Sequence, residues 1–271
     1  MSTFINSFRI SNNLNLDFNT IGVDTSTVFV IRRGSDNVEQ NFNYAQLTDG
    51  TFATFIGVSE GFVKSWTADN GIKLENANVS NQFKMIVSGG VVYLDDFGGV
   101  NSISFYRTIN MSQDWVISFI MKDELNTNNQ RANISIKQNI TNMVGVAVQR
   151  ITATNARLSF VIDRDESLIA PINTADSYFD FDHSLYSLIT LSRIGGVIKA
   201  QLNNVDKTLT AGGFSTTVRE NAGNAVTLGA RQQNGEGKIT KYKYLGLRLG
   251  GNLSAFSLSS FNTAIMTKYS I

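Results

Sequence analysis

Short runs of alternating apolar and polar residues, cut by Gly and Asn, recur along this chain and leave little room for long helices. Such runs cover residues 28–31, 61–66, 83–87, 91–94, 115–121, 134–137, 144–148, 157–162, 187–191, 197–202, 226–228 and 241–249. A period of two puts alternate side chains on one face of a strand. Many such runs, closed by turn residues, predict an all-β antiparallel sandwich or jelly roll. The glycine pairs Gly89-Gly90, Gly98-Gly99, Gly195-Gly196, Gly212-Gly213 and Gly250-Gly251 lack nucleotide-binding spacing and read as hairpin turns. Helix is expected only as punctuation. Thr48-Asp49 caps a short turn reaching Ile56 and ended by Gly57. A closing helix is expected over Leu258–Tyr269, capped by Ser259 or Ser260, with Phe261, Ile265 and Met266 on one face. No repeat or linker divides the chain, and residues 126–129 are its most loop-like interior stretch.

Composition removes several functions. With 23 basic and 22 acidic residues the net charge is +1, which gives no general attraction to nucleic acid or an anionic membrane. The likeliest local basic patch is residues 238–248. No cysteine is present, so disulfides, thiolate metal sites and cysteine nucleophiles are excluded. No apolar run approaches the roughly 20 residues that span a bilayer. Residues 1–16 mix Asn and Ser among apolar residues, so no secretory signal is expected. One proline, 18 phenylalanines and 8 tyrosines suit a β core.

Two segments carry a resemblance. Residues 31–40 read I-R-R-G-S-D-N-V-E-Q, and residues 61–66 read G-F-V-K-S-W. The pair resembles the opening of the concanavalin-like module of arabinofuranosidase B, a module that also occurs in bacterial surface proteins and phage virion proteins. Residues 188–196, L-I-T-L-S-R-I-G-G, lead into the strand ending at Asn204, and L-G-A-R follows at 228–231. That half resembles a laminin-G-like jelly roll. The resemblance implies a concanavalin-like (laminin-G-like) antiparallel β-sandwich over residues 28–271, with a short C-terminal helix. Residues 1–27 match neither pattern and are expected to form an attachment or oligomerisation segment.

Catalysis is not the expected role. A retaining glycosidase sets two carboxyls about 5–5.5 Å apart. The paired acids are Asp95-Asp96, Asp123-Glu124, Asp163/Asp165/Glu166 and Asp180/Asp182, and each also reads as a strand-end turn. After Trp66 the chain reads T-A-D-N-G, where the enzymes' W-Y-D-Q-S-G-type turn is lost. His183 is the only histidine and reads as a strand-edge residue. Its neighbours Asp182 and Ser184 cannot complete a triad from opposite strand faces. Asp163, Asp165 and Glu166 offer oxygen ligands to calcium without the rest of an EF-hand pattern, and no other cofactor is implied.

For sugar binding, the aromatic candidates are Trp66, Tyr106, Tyr178, Tyr242 and Tyr244, while Trp115 reads as core. Tyr242 and Tyr244, two apart, are expected to share a face, with Lys241 and Lys243 on the other. Arg32 and Arg33 alternate, so one is expected to turn inward towards Asp36 or Glu39 in an ion pair that holds the turn. The expected function is that of a non-catalytic bacteriophage virion protein. It is expected to be a capsid-decorating head fibre or tail-fibre-associated subunit, assembled in the bacterial cytoplasm as a homo-oligomer among other virion proteins. Cell-surface glycans are candidate ligands. A bacterial surface lectin or adhesin, and an arabinofuranosidase-like glycosidase, are the alternatives.

Overall fold

The structure is a computed structural model, and it describes residues 14–17, 27–67, 73–95, 104–106, 114–123, 131–137, 143–162, 177–208, 225–227, 240–249, 253 and 257–271. The elements run β1 (Leu14–Asp17), β2 (Val28–Arg33), β3 (Glu39–Asn43), α1 (Tyr44–Thr48), α2 (Thr51–Ile56), β4 (Gly61–Thr67), β5 (Lys73–Glu75), β6 (Phe83–Ser88), β7 (Val91–Asp95) and β8 (Ser104–Tyr106). They continue with β9 (Trp115–Asp123), β10 (Arg131–Lys137), β11 (Met143–Arg150), β12 (Asn155–Ile162), β13 (Ser177–Asp182), β14 (Ser187–Ile194), β15 (Val197–Leu202), β16 (Val205–Asp206), β17 (Ala225–Thr227), β18 (Thr240–Leu249) and α3 (Leu258–Tyr269).

Two antiparallel sheets result. The larger has the order β16-β15-β14-β9-β18-β7-β6-β4-β2-β3, with β1 added on β18 and β5 on β4. The smaller is β13-β12-β11-β10-β17-β8. The all-β antiparallel class with a short C-terminal helix is therefore as expected. Strand β18, late in the chain, inserts between β9 and β7, so the centre of the large sheet closes only when both halves are present. β1 pairs its four residues with Gly246 to Leu249, which ties part of the 1–27 segment into this sheet.

The glycine pairs act as read at two of their positions. Ser88 pairs with Val91 and Ile194 with Val197, leaving two-residue loops. Gly89, Gly90, Gly195 and Gly196 all hold positive φ, the conformation a type I′ hairpin needs. Asn203 and Asn204 perform the same task between β15 and β16, at φ of 50° and 64°. The other three glycine pairs lie outside the described residues.

Burial follows the alternation. On β12 and β13, Ala156, Leu158, Phe179 and Phe181 are buried, while Arg157 and Asp180 reach solvent. An apolar face of this size needs a second layer, and the buried Ile117, Phe119, Ile189 and Leu191 of the large sheet supply it. β9 is buried on both faces from Trp115 to Met121, because α3 covers the far side. Ile120, Leu188 and Tyr244 are cross-strand partners on β9, β14 and β18, and Ile265 and Tyr269 of α3 pack on them. The helix is capped by Ser257, whose Oγ accepts from the Ser260 N–H at 3.3 Å, rather than by Ser259 or Ser260.

Near the other edge, α1 and α2 lie beside β3. Asn43 and Gln46 form a reciprocal capping box that starts α1. Phe52 is the buried anchor of α2. A Cβ on Gly61 would lie 2.8 Å from the Phe52 ring and 3.1 Å from Ile31 Cγ2, all three being buried. The substitution Gly61→Ala is therefore expected to destabilise the fold by about 1–3 kcal/mol through overpacking. Urea unfolding checks this: an unchanged midpoint would mean that α2 moves aside freely.

Candidate carbohydrate-binding face

The exposed face of the smaller sheet brings two sequence-predicted residues, Tyr178 and Asp180, together with Arg157, which the sequence does not single out. Arg157 on β12 and Asp180 on β13 are cross-strand partners. The guanidinium donates from Nε to Asp180 Oδ1 at 2.8 Å and from Nη2 to Oδ2 at 3.2 Å. This bidentate pair raises the arginine's pKa, chiefly through the hydrogen bonding to Asp180. The same guanidinium carbon stands 4.0 Å from the centroid of the Tyr178 ring. Side-chain exposures of 35% and 49% for Arg157 and Asp180 leave the pair open to a ligand.

Register extends this face. Tyr178 faces Ser159, which faces Ala147, which faces Asn133. In the adjacent row Asp180, Arg157, Gln149 and Arg131 are successive partners. Tyr106 on β8 partners Ala225, which partners Lys137. The row of Tyr106 crosses β10 at Lys137, four residues along from Asn133, where the row of Tyr178 crosses it. The two tyrosines thus occupy opposite edge strands, five strand spacings or about 24 Å apart.

Two of the aromatic candidates, Trp66 and Tyr244, are corrected, while the side chain of Tyr242 lies outside what the structure describes. Trp66 is only 1% exposed, stacked on Phe29 with ring centroids 5.9 Å apart, so its indole offers no platform to a sugar. Tyr244 is fully buried beneath α3, 6.1 Å from the Tyr269 ring. The backbone register shifts between Tyr242 and Tyr244 at a bulge on Lys243, so that Tyr242 pairs with Met121 and Tyr244 with Ile120, and strict period two does not hold across the two. Trp115 is fully buried, in agreement with its reading as core.

The arginine motif is structural, with its partners redistributed. Arg33 is the ion-paired residue. It donates to Asp36 Oδ1 at 2.9 Å and Oδ2 at 2.7 Å, and from Nη1 to the Phe55 carbonyl at 2.7 Å. That hydrogen bond is also what chiefly depresses the Asp36 pKa. Arg32 is the inward one, 6% exposed, but no carboxylate among the described residues hydrogen-bonds it. Its Nε donates to Gln82 Oε1 and its Nη1 to Asn37 Oδ1, both at 2.8 Å. Its guanidinium also stands 4.7 Å from the Phe62 ring centroid. Burial lowers its pKa despite the charge of Glu39. Glu39 itself pairs with Lys64 at 2.8 Å.

Asp163, Asp165 and Glu166 lie outside the described residues, as do Asp96 and Glu124. Among the described residues no group of three or more His, Asp or Glu could hold a metal. His183 is buried rather than at an open edge, its Nε2 3.4 Å from the Thr152 carbonyl oxygen. Asp182 accepts from the backbone and hydroxyl of Ser184 at 2.9 and 2.6 Å, which pulls its pKa down. The carboxyls of Asp36, Asp49 and Asp206 are held low in the same way, by side-chain hydrogen bonds.

No family model matches the chain, and no curated protein matches it. Among solved structures, the carbohydrate recognition domain of Emp47p is 10% identical, with a TM-score of 0.40 over 62% of this chain and 86% of that one. Trypanosoma rangeli sialidase in complex with sialic acid is 8% identical, with a TM-score of 0.46 over 77% of this chain and 31% of that one. A W1252A mutant described as HCR D/C VPI 5995 is 10% identical, with a TM-score of 0.43 over 90% and 52%. These are distant likenesses, and the functional reading rests on the geometry of the residues themselves. No described helix is long and apolar enough to cross a membrane.

Proposed function

We propose that the chain is a non-catalytic carbohydrate-binding β-sandwich that presents the outer face of its smaller sheet to a glycan, as a bacteriophage head-fibre or tail-fibre-associated virion subunit. The observation that carries the binding reading is the Arg157–Asp180 pair beside Tyr178 on an edge strand. Sugars present vicinal hydroxyls and an apolar ring face. A bidentate guanidinium–carboxylate pair can exchange hydrogen bonds with the former, and a tyrosine can pack against the latter. The non-catalytic reading has its support in the sequence, where T-A-D-N-G after Trp66 replaces the W-Y-D-Q-S-G-type turn of the enzymes. The virion assignment takes its support from the resemblance carried by residues 31–40 and 61–66.

Binding is tested on a glycan array followed by calorimetry. The wild type is expected to retain a neutral oligosaccharide, and Tyr178→Ala to lose it by about tenfold or more while keeping the same unfolding midpoint. Equal binding by wild type and Tyr178→Ala would remove the face from consideration. Release of an aryl group from an aryl-arabinoside would overturn the non-catalytic reading. Absence of the chain from purified particles, together with a monomeric state in solution, would overturn the virion assignment.

A further inference from the structure

The core face of β3 runs out into an open cleft against α2. Gln40 precedes Phe42 by two residues and so shares its face of the strand. Phe42 packs on the Phe52 and Phe55 rings, with centroids 5.8 and 5.3 Å away, which brings α2 over that face. Gly50, at a φ of 96°, turns the chain between α1 and α2 and sets Asp49 beside Thr51. Gln40, Asp49, Gly50, Thr51, Thr54 and Phe55 then line a cleft of about 490 Å³. That volume falls within the roughly 300–1,000 Å³ of small-molecule sites. The lining is rich in acceptors and poor in donors. Asp49 Oδ1 accepts from the Thr51 backbone N–H at 2.9 Å, and the Thr51 side chain bonds the same carboxylate. The Thr54 hydroxyl donates to the Gly50 carbonyl at 3.0 Å. Each threonine hydroxyl has thereby used its one proton within the chain and offers lone pairs to a ligand. The Gln40 amide has no hydrogen-bond partner among the described residues. Asp49 is the charged member of the lining, and among the described residues no Lys or Arg pairs with it. Arg33, whose guanidinium stands 4.9 Å from the Phe55 ring centroid, is already paired with Asp36.

We propose that this cleft holds a sugar residue bearing a protonated amine, a second and separate contact for the glycan reading above, on which it rests. An ammonium group carries three donors and no acceptor, the complement of a lining that accepts more than it donates. Asp49 answers its charge, and the Thr51 and Thr54 hydroxyls accept from the amine or from a hydroxyl next to it. Gln40 exchanges hydrogen bonds with a ring hydroxyl, and the half-buried Phe55 supplies an apolar wall for the ring carbons. A carboxylated or sulfated sugar is disfavoured, since it brings further acceptors and a like charge to Asp49. The hydrogen bonds from Thr51 hold the Asp49 pKa down, so its carboxylate stays ionised in mildly acidic solution, where a sugar amine is protonated.

The test uses the full chain at mildly acidic pH with a glucosamine oligosaccharide, its N-acetylated form as the neutral control, and an oligogalacturonate. The wild type is expected to prefer the free-amine form roughly threefold to tenfold over the acetylated one, between the worth of an exposed ion pair and that of a charge-assisted hydrogen bond. Added salt is expected to shrink that preference. Asp49→Asn keeps an Oδ1 acceptor for the Thr51 N–H and is expected to abolish the preference at an unchanged unfolding midpoint. Gln40→Lys brings a cation of the chain's own into the cleft, at an exposed position, and is expected to abolish it as well. The second variant decides the matter if the first folds poorly. In Tyr178→Ala the free-amine form is expected to remain bound while the acetylated form is lost. A preference that survives in both Asp49→Asn and Gln40→Lys would overturn the cleft while the glycan reading stands. Failure of the wild type to bind any saccharide would overturn both. Equal or tighter binding of the acetylated form or of the oligogalacturonate by the wild type would overturn the acceptor argument and the proposal with it.

Discussion

Replacing Trp66 with alanine is expected to destabilise the protein by about 3–5 kcal/mol, the range for truncating a buried aromatic. The magnitude follows from where the indole sits. Trp66 on β4 is the cross-strand partner of Phe29 on β2, and Phe29 is the partner of Phe42 on β3. Phe42 meets Phe52 of α2 edge-on at 5.8 Å and lies 5.3 Å from Phe55. Trp66, Phe29, Phe42 and Phe52 are each no more than 2% exposed. Deleting the first member opens a cavity at one end of a row that spans three strands and a helix. The row is buried along its length and has little freedom to collapse into the gap. Trp66→Phe keeps an aromatic in the row and is expected to cost much less. Chemical denaturation checks both, with Trp115, the other tryptophan and fully buried, as the fluorescent reporter in each variant. A loss below about 1 kcal/mol for Trp66→Ala would show that the row repacks.

Trp66 also shows where sequence stops being sufficient. Period two correctly made residues 61–66 a strand, because alternation is a property of the strand itself. Which of its faces meets solvent depends on what packs against it. Here that is Phe29 and the neighbouring strands, set by pairings between distant residues. Gly89-Gly90 and Gly195-Gly196 were legible for a local reason: adjacent residues that tolerate positive φ favour a two-residue hairpin wherever they occur. Tyr242 and Tyr244 failed for the opposite reason. Nothing in K-Y-K-Y marks Lys243 as a bulge, which exists only as a mismatch against β9. Strand β13 was readable as S-Y-F-D-F-D, with Phe179 and Phe181 inward and Tyr178, Asp180 and Asp182 outward, yet it was not among the predicted strands. The partner of Asp180 proved to be Arg157, 23 residues away, not another carboxylate. The Arg32–Arg33 alternation was legible, but the partners were not. Gln82, which takes Arg32, lies 50 positions along the chain and is brought there by the pairing of β4 with β6.

The residue that sequence reading missed most completely is Asn262, and Asn262→Leu is expected to cost about 2–4 kcal/mol although it adds apolar surface to a helix interior. Its place on α3, next to Phe261 and three before Ile265, reads as an apolar-stripe position filled by a polar residue. The structure accounts for it. Asn262 is fully buried against the large sheet. The Thr190 hydroxyl donates to Asn262 Oδ1 at 3.0 Å, and Asn262 Nδ2 donates to Gln201 Oε1 at 2.7 Å. Ser118 Oγ stands 3.4 Å from Thr190 Oγ1, so the chain of polar groups crosses β9, β14 and β15 beneath the helix. Ser118, Thr190 and Gln201 are partners in one cross-strand row, and all are buried. Leucine at 262 would leave the Thr190 hydroxyl and the Gln201 carbonyl without their helix partner, each at the cost of desolvating an unmade hydrogen bond. The triple variant Asn262→Leu, Thr190→Val, Gln201→Leu removes the donors and acceptors that meet the helix, but takes from the buried Ser118 Oγ its Thr190 partner. It is expected to recover part of the stability, since most of the resulting patch needs no partners. Thermal unfolding of the single and triple variants decides the matter. If Asn262→Leu alone is neutral or stabilising, the polar row is not what docks α3. The apolar contacts of Ile265 and Tyr269 with Ile120, Leu188 and Tyr244 would then account for the helix by themselves.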